Sequence, residues 1–474
     1  MTNPGLKKPI RVRFAPSPTG KLHIGSVRSA LFNWLFARHN AGKFFLRIED
    51  TDKERSKKEY EDEIIEGLKW LGIEWDGEIY RQSERGKYYR KNLEKLLEEG
   101  RAYYCYCTKE ELEAQKESMT AEGLPPKYSG HCRNLKKALI GREPEVIRFA
   151  VPEVEIEFKD LIRGTVKFDA GLLGDIVIAK DLDTPLYNFA VVVDDGMMEI
   201  THVIRGEDHI SNTPKQILIQ RALGFDVPIF AHVPLILAPD RSKLSKRRAE
   251  ASFLDYRDRG YLPEAMVNFL ALLGWHSEGN EEIFSRQDLI KLFDISRVQK
   301  SGAVFNEDKL AWLNSQHIRR LSQGEIFERL QPWLENWKIK ASRDFIQKVI
   351  SVVKDRMRTL GEFFELAGFF FGVSEYDRAL LKWKGQALPD VRINLQKILE
   401  AFQGLSVGDF TAARITVILD GLVDGAKRGE VFWPFRVALS GKLVSPDPAE
   451  IAEILGKEEV LRRVKVALDK LERE

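Results

Sequence analysis

Residues Arg11–Trp34 read RVRFAPSPTGKLHIGSVRSALFNW, and the fold is decided there. RVRFA opens as a short strand. Two prolines and a glycine break it. From Ile24 the apolar residues fall at Ile24, Val27, Leu31, Trp34 and Leu35, which is helical spacing. HNAGK ends that helix, with Gly42 as a natural stop, and FFLRIED follows as a second strand. Strand, helix and strand with short links make a βαβ unit, which implies a parallel sheet and a right-handed crossover. The helix mouth at the carboxyl end of the first strand suits an anion, because its free N–H groups and positive dipole end face that edge. Pro16 and Pro18 stiffen the loop, Gly20 and Gly25 permit a close backbone approach, and His23 adds an imidazole. Taken alone, a proline-rich turn with a surface histidine explains the same letters.

Outward from this unit, SKKEYEDEIIEGLKWLGI reads as a helix, with Ser56 and Glu59 at capping-box spacing and a stop near Gly72. A second helix spans about Tyr88–Glu99. Between Arg101 and Leu186 the pattern changes to a polar helix (about Lys109–Ala121), short strands and all three cysteines, read as an inserted α+β domain. Parallel-strand signals return in YNFAVVVDD, ITHVIRGED and FAHVPLIL, interrupted by the helix TPKQILIQRALG with Pro214 in its first turn. After KLSKRR the chain reads as largely helical, with a capping box at Ser322 and Glu325 and an N-cap at Asp447 before Pro448. The expectation is an α/β protein: a Rossmann-type parallel sheet split by an α+β insert, followed by all-α C-terminal domains. The corresponding segments are 1–100 (first half of the sheet domain), 101–186 (insert), 187–250 (second half), 251–322 (a helical domain) and 323–474 (all-helical).

At 474 residues the chain is too long for one core. Its 74 basic and 72 acidic side chains nearly cancel, so a nucleic-acid partner needs a local basic patch. Three cysteines are too few for a disulfide scaffold and fit a reducing cytoplasm. NFAVVV and VPLILA are far too short to cross a membrane and read as buried strands.

A second chemical element lies in DRSKLSKRRAE, where Lys243 and Lys246 flank Ser245 between a strand and a helix. Two ammonium groups on a mobile loop can follow charge from nucleotide phosphates onto leaving pyrophosphate, although a basic loop alone is usually just solvated. In this order and around a split sheet, HIGS and KLSKR resemble the HIGH and KMSKS signatures of class I aminoacyl-tRNA synthetases. RFAPSPTGKLHIG, LRIEDTD, YNFAVVVDD, VIRGEDHISNTP and KLSKR narrow the resemblance to bacterial glutamyl-tRNA synthetases, and it extends to WPFRVALSGK near the C-terminus. Ser26 replaces the last histidine of the first signature. Leu244 and Arg247 depart from the second.

The resemblance implies activation of glutamate by ATP, then transfer to the terminal ribose of tRNA. Glutamate, ATP with Mg²⁺ and tRNA(Glu) are the implied partners, with a monomer expected. A carboxylate nucleophile is already ionised, so the first step needs positioning and charge stabilisation rather than a base. His23, Lys243 and Lys246 carry that role. The implied ATP contacts are Pro16, Thr19, Gly20, His23, Gly25, Ser26, Lys243, Ser245 and Lys246. For glutamate they are Arg13, Ala15, Ser17, Glu49, Tyr187 and Arg205, the arginines for carboxylates and Glu49 for the ammonium. The competing reading is structural ion pairing, Arg47 with Glu49 and Arg205 with Glu207.

In the insert, Cys105, Cys107 and Cys132 stand where some family members hold zinc, but the matching fourth position is Asn134, a poor ligand. Tyr128 and His131 are the alternatives, and three buried thiols without metal remain a second reading. The C-terminal part is expected to read the anticodon through Arg356 and Arg358. Trp433 and Arg436 are weaker candidates: Trp433 is better read as a core aromatic, and Arg436 has an ordinary helix surface charge as its competing reading. Competing functions are a short paralogue that modifies a tRNA base, a glutaminyl-specific enzyme and a non-catalytic tRNA binder. The helical segment 323–474 argues against the first two. The joint presence of His23, Lys243, Lys246, Arg13, Arg205 and Glu49 argues against the third.

Overall fold

The computed structural model describes residues 8–135, 141–242, 252–372, 375–423 and 427–472. The chain divides into two compact units, one of residues 1–257 with 263–310 and one of 258–262 with 311–474. The expected boundary at 322/323 therefore falls inside the second unit. Residues 263–310 pack with the sheet rather than standing as a separate helical domain.

In the first unit, β1 (Arg11–Phe14), helix α1 (Ile24–His39) and β2 (Lys43–Ile48) form the expected parallel βαβ unit, with Arg13 opposite Phe45. The short β3 (Tyr80–Arg81) extends β2 in parallel. Helices α2 (Lys58–Leu71), α3 (Gly86–Glu98) and α4 (Lys109–Ala121) follow in turn. The insert contributes an antiparallel sheet of β4 (Ala102–Cys105), β5 (Val146–Phe149) and β8 (Ile176–Ala179). Its hairpin of β6 (Glu155–Asp160) and β7 (Gly164–Asp169) leaves that sheet and lies along the second half of the parallel sheet. That half holds β9 (His202–Gly206) and β10 (Ile229–Val233) in parallel, with Phe230 opposite Asp160 of β6. The halves meet where the Thr201 N–H donates to Arg11 O at 2.9 Å. The sheet thus runs β1→β2 to one side and β9→β10 to the other, and the carboxyl ends of β1 and β9 flank a topological switch point.

Several local expectations need correction. YNFAVVVDD is not a strand but helix α5 (Tyr187–Met197), with Phe189 through Asp195 buried. A short apolar run covered on all sides has the same letters as a buried strand, and only its packing separates the two. The capping box at Ser56 does not form. Helix α2 starts at Lys58, because the N–H groups of Ser56 and Lys57 are committed to Asp52 O and Pro18 O. The left-handed residue after α1 is Ala41 (φ 51°), whereas Gly42 is needed for closeness: a Cβ there would lie 2.6 Å from Ile10 O. The boxes at Ser322 and Glu325 and the Asp447 cap with Pro448 are present as expected.

Helix α1 is buried nearly all round, packed against β1, β9 and the helices Pro263–Leu272 and Arg286–Leu292. Its position, with its mouth at the switch point, is fixed by packing from both sides. Among its described residues the second unit is helical throughout. No helix of the described residues is long and apolar enough to cross a membrane.

Candidate active site

A cavity of about 500 Å³ opens at the carboxyl ends of β1 and β9. It is lined by Arg13, Ala15, Pro16, Ser17, His23, Gly25, Ser26, Glu49, Tyr187 and Arg205, which the sequence reading names from four separate stretches. Thr19 and Gly20 lie on the same loop but outside the lining, and a Cβ on Gly20 would meet nothing within 4 Å. Lys243, Ser245 and Lys246 lie outside the described residues. The lining also includes Arg28, Ser29, Asp208 and His209, which the sequence reading missed. His209 sits inside the quoted VIRGEDHISNTP, so the motif offered a signal for it. Arg28 and Ser29 lie one turn beyond the HIGS signature on the same helix.

One end of the cavity is the mouth of α1. His23 is its N-cap, and Nδ1 accepts the Ser26 N–H at 3.3 Å. Ser26 Oγ lies 2.9 Å from Nε2, so the serine that replaces the signature histidine bonds to the first one. A Cβ on Gly25 would sit 3.2 Å from the His23 ring, a tight contact against the side chain that caps the helix. Desolvation lowers the His23 pKa below its usual 6.5 against the pull of Asp208, so the ring is a neutral donor and acceptor. One turn on, buried Arg28 donates to Leu273 O at 3.0 Å and to Pro234 O, and burial lowers its pKa to about 10. Arg28 thereby ties α1 to the 234–236 wall of the cavity.

The other end is ionic. Arg47, fully buried on β2, bonds Asp195 at 2.6 Å and Glu49 at 3.1 Å. Arg13 on β1 donates to both oxygens of Asp195 at 3.1 and 3.4 Å. The Glu49 backbone N–H bonds Pro16 O at 2.9 Å, which joins the ends of β1 and β2. Burial raises the Glu49 pKa despite Arg47 and Arg13. The structural pairing of Arg47 with Glu49 is therefore real, and Arg13 shares its charge with Asp195.

Arg205 differs. Glu207, its neighbour in sequence, turns to Arg163 and to the Leu235 N–H at 2.7 Å. Arg205 is buried and donates to Gln216 Oε1 at 2.8 Å, Thr213 Oγ1 at 2.7 Å, His232 Nε2 at 3.3 Å and His209 O at 3.4 Å. All four acceptors are uncharged, and no described carboxylate lies within 4.0 Å of it. Burial accordingly lowers its pKa. Tyr187 faces it from α5 with its hydroxyl 3.2 Å from His209 Nδ1, and burial pushes that phenol up to about 12. A buried guanidinium held by neutral acceptors keeps its charge and can pair with an incoming carboxylate.

In the insert the sulfurs of Cys105, Cys107 and Cys132 lie within 4.8 Å of one another. The Tyr128 hydroxyl reaches this cluster at 3.5 Å from Cys105 Sγ and 3.7 Å from Cys107 Sγ. His131 and Asn134 are exposed. Burial pushes the Cys107 thiol up to about 12, while hydrogen bonding from Tyr128 and the nearby Arg148 bring Cys105 down against the effect of its burial. In the second unit Arg356 and Arg358 are exposed, and Arg358 pairs with Glu362 at 3.2 Å. Trp433 donates to Leu380 O at 2.9 Å, a packing role.

The chain has a class I aminoacyl-tRNA synthetase core: a parallel sheet, interrupted by an insert, with a helix mouth at its switch point. The profile of the class I tRNA synthetases (E and Q) catalytic domain matches residues 9–312, and that of an anticodon binding domain matches 325–468. The chain belongs to the bacterial glutamate–tRNA ligase family. It is 47 % identical to a glutamate–tRNA ligase of Thermodesulfovibrio yellowstonii over 97 % of this chain and 99 % of that protein. It is 46 % identical to that of Geobacter sulfurreducens, over 98 % and 99 %. A glutamate tRNA ligase from Elizabethkingia meningosepticum, solved in complex with its amino acid, superposes with a TM-score of 0.88 at 35 % identity, covering 98 % of this chain and all of that one.

Proposed function

We propose that this cavity joins glutamate to ATP and passes the glutamyl group to the 3′-terminal ribose of tRNA(Glu). The observation that carries the reading is Arg205, a buried cation without a counterion, in the same cavity as the His23-capped helix mouth. Arg205 takes a substrate carboxylate, Glu49 takes the ammonium, and Arg13, Ala15, Ser17 and Tyr187 complete the amino-acid end. At the helix mouth His23, Gly25 and Ser26 meet the phosphates of ATP, with Pro16, Thr19 and Gly20 on the approaching loop. Lys243, Ser245 and Lys246 follow the leaving pyrophosphate, and Mg²⁺ accompanies ATP. No base is needed for the first step, because the attacking carboxylate is ionised. ATP–pyrophosphate exchange with glutamate, with and without tRNA, followed by charging of purified tRNA(Glu) and tRNA(Gln), tests this. Absence of exchange and of charging under every condition overturns it.

The exposed Arg356 and Arg358 belong to the anticodon reader in the second unit. Arg358→Ala is expected to raise the KM for tRNA about tenfold, the scale of one lost base contact. The kcat at saturating tRNA stays near the parent value. An unchanged tRNA KM removes Arg358 from the interface. The enzyme works as a cytoplasmic monomer in this reading.

The donor set in the insert fits zinc: three thiols and one phenol oxygen converge, and a thiophilic ion prefers such ligands. Cys105, Cys107, Cys132 and Tyr128 would hold it, and its role there is to brace the insert. Protein purified without chelator is expected to carry about one zinc per chain. Tyr128→Phe should speed zinc loss to a chelator about tenfold or more. Metal analysis showing less than about a tenth of an equivalent removes the zinc and leaves three buried thiols.

A further inference from the structure

Behind Arg205 stands a buried pair that the reaction does not call on. His232 lies at 0 % and Asp160 at 1 % exposure. His232 Nδ1 is 2.6 Å from Asp160 Oδ2, and the same oxygen accepts the His232 backbone N–H at 3.0 Å. The second oxygen accepts the N–H groups of Ile162 at 2.9 Å and Arg163 at 2.8 Å. These donors hold Asp160 below its usual pKa although burial opposes them. An ionised carboxylate can only accept, so the imidazole proton sits on Nδ1. Nε2 then offers its lone pair to Arg205 Nε at 3.3 Å and to Thr213 Oγ1 at 3.0 Å. A proton on Nε2 would instead point at the guanidinium. Burial and the charges of Arg205 and Arg163 all oppose it, and only Asp160 favours it.

We propose that Asp160 and His232 are positioning residues for Arg205: Asp160 fixes His232 as the neutral Nδ1–H tautomer, and Nε2 aims the guanidinium into the cavity without neutralising it. A carboxylate in the place of His232 would orient Arg205 equally well and cancel the charge the substrate needs. The neutral histidine separates orientation from charge. Asp160 ends β6 in the insert and His232 lies on β10, so the hairpin that the insert adds to the sheet braces the amino-acid site from behind. This inference rests on the reading that Arg205 binds a carboxylate of the amino acid.

The test is pyrophosphate exchange with tRNA present, on Asp160→Asn, His232→Asn, His232→Gln and Arg205→Ala, each with a thermal melt. His232→Asn keeps a donor for Asp160 but leaves Arg205 Nε without an acceptor. Asp160→Asn permits the reversed tautomer. Each is expected to raise the glutamate KM about tenfold or more, the scale of one buried unsatisfied group, with the ATP KM within about twofold. His232→Gln, whose amide oxygen reaches the Nε2 position, should recover most of the loss. Glutamate KM values near the parent in both asparagine variants, with Arg205→Ala impaired, overturn the inference alone. An unimpaired Arg205→Ala overturns the carboxylate reading beneath it. Equal damage to ATP and glutamate use would reduce the pair to a structural brace. Should the asparagine variants not fold, nitrogen-15 NMR of histidine-labelled parent protein decides: a neutral Nδ1–H signal for His232 is expected from about pH 6 to 8, and an imidazolium or the Nε2–H tautomer overturns the proposal.

Discussion

Arg205→Ala is expected to lower kcat/KM for glutamate by about a hundredfold or more while the KM for ATP stays within about threefold. The size follows from burial. Arg205 has no counterion of its own, so its charge is available to the substrate, and its loss also strands Gln216 and Thr213, which now bond it at 2.8 and 2.7 Å. Arg205→Lys keeps a charge but not the planar fork, and should recover only part of the activity. Arg13→Ala is expected to do less to glutamate binding, because Arg13 is already engaged with both oxygens of Asp195. Steady-state kinetics in both substrates separates the two. Glutamate kinetics unchanged in Arg205→Ala would remove it from the pocket.

Arg47→Met is expected to cost about 3–5 kcal/mol of stability in the first unit, the scale of breaking a buried ion pair from one side. Met fills the volume but leaves Asp195 with Arg13 as its remaining ion-pair partner and Glu49 with none of its 3.1 Å pair. The pH dependence carries a sign. Glu49 titrates above its usual 4.5 in the folded protein because burial outweighs Arg47 and Arg13. A carboxyl raised in this way contributes stability that is present below 4.5 and lost as pH rises through the folded value. Removing Arg47 raises that value further, so the Glu49 part of the deficit grows toward alkaline pH and shrinks on acidification. Asp195 is held below its usual 3.8 by Arg13 and Arg47 although burial opposes them, so it stabilises above that pH and loses this as pH falls. Losing Arg47 removes part of that benefit. Denaturation midpoints of parent and variant at several pH values check both parts. A variant as stable as the parent would mean that the network is not a source of stability.

Much of the site was legible because short segments report their own geometry. A proline-broken strand followed by helical spacing can place His23 only at a helix mouth, and it is the N-cap of α1. Capping residues such as Ser322 with Glu325 act across one turn, so letters suffice to find them. YNFAVVVDD defeated the same approach. Its burial comes from elements distant in sequence, and a run apolar on every side carries no period. The pairing of the hairpin β6–β7 is equally illegible, since nothing in its letters tells which sheet edge it will meet.

By itself, then, the sequence determined the βαβ core, the residue types at the mouth of α1 and the stretches that line the cavity. Those depend on neighbours a few residues apart and on side-chain chemistry. Only the tertiary structure decided which cations are free. RGED places Arg205 two residues from Glu207, which on a continuous strand would share its face, yet β9 ends at Gly206 and beyond it Glu207 turns to Arg163. LRIED places Arg47 near Glu49, and there the pair forms, with Asp195 from α5 completing it. Countercharge is a property of space and desolvation rather than of order along the chain. The fold therefore leaves Arg205, among neutral acceptors, as the charge an incoming carboxylate would meet.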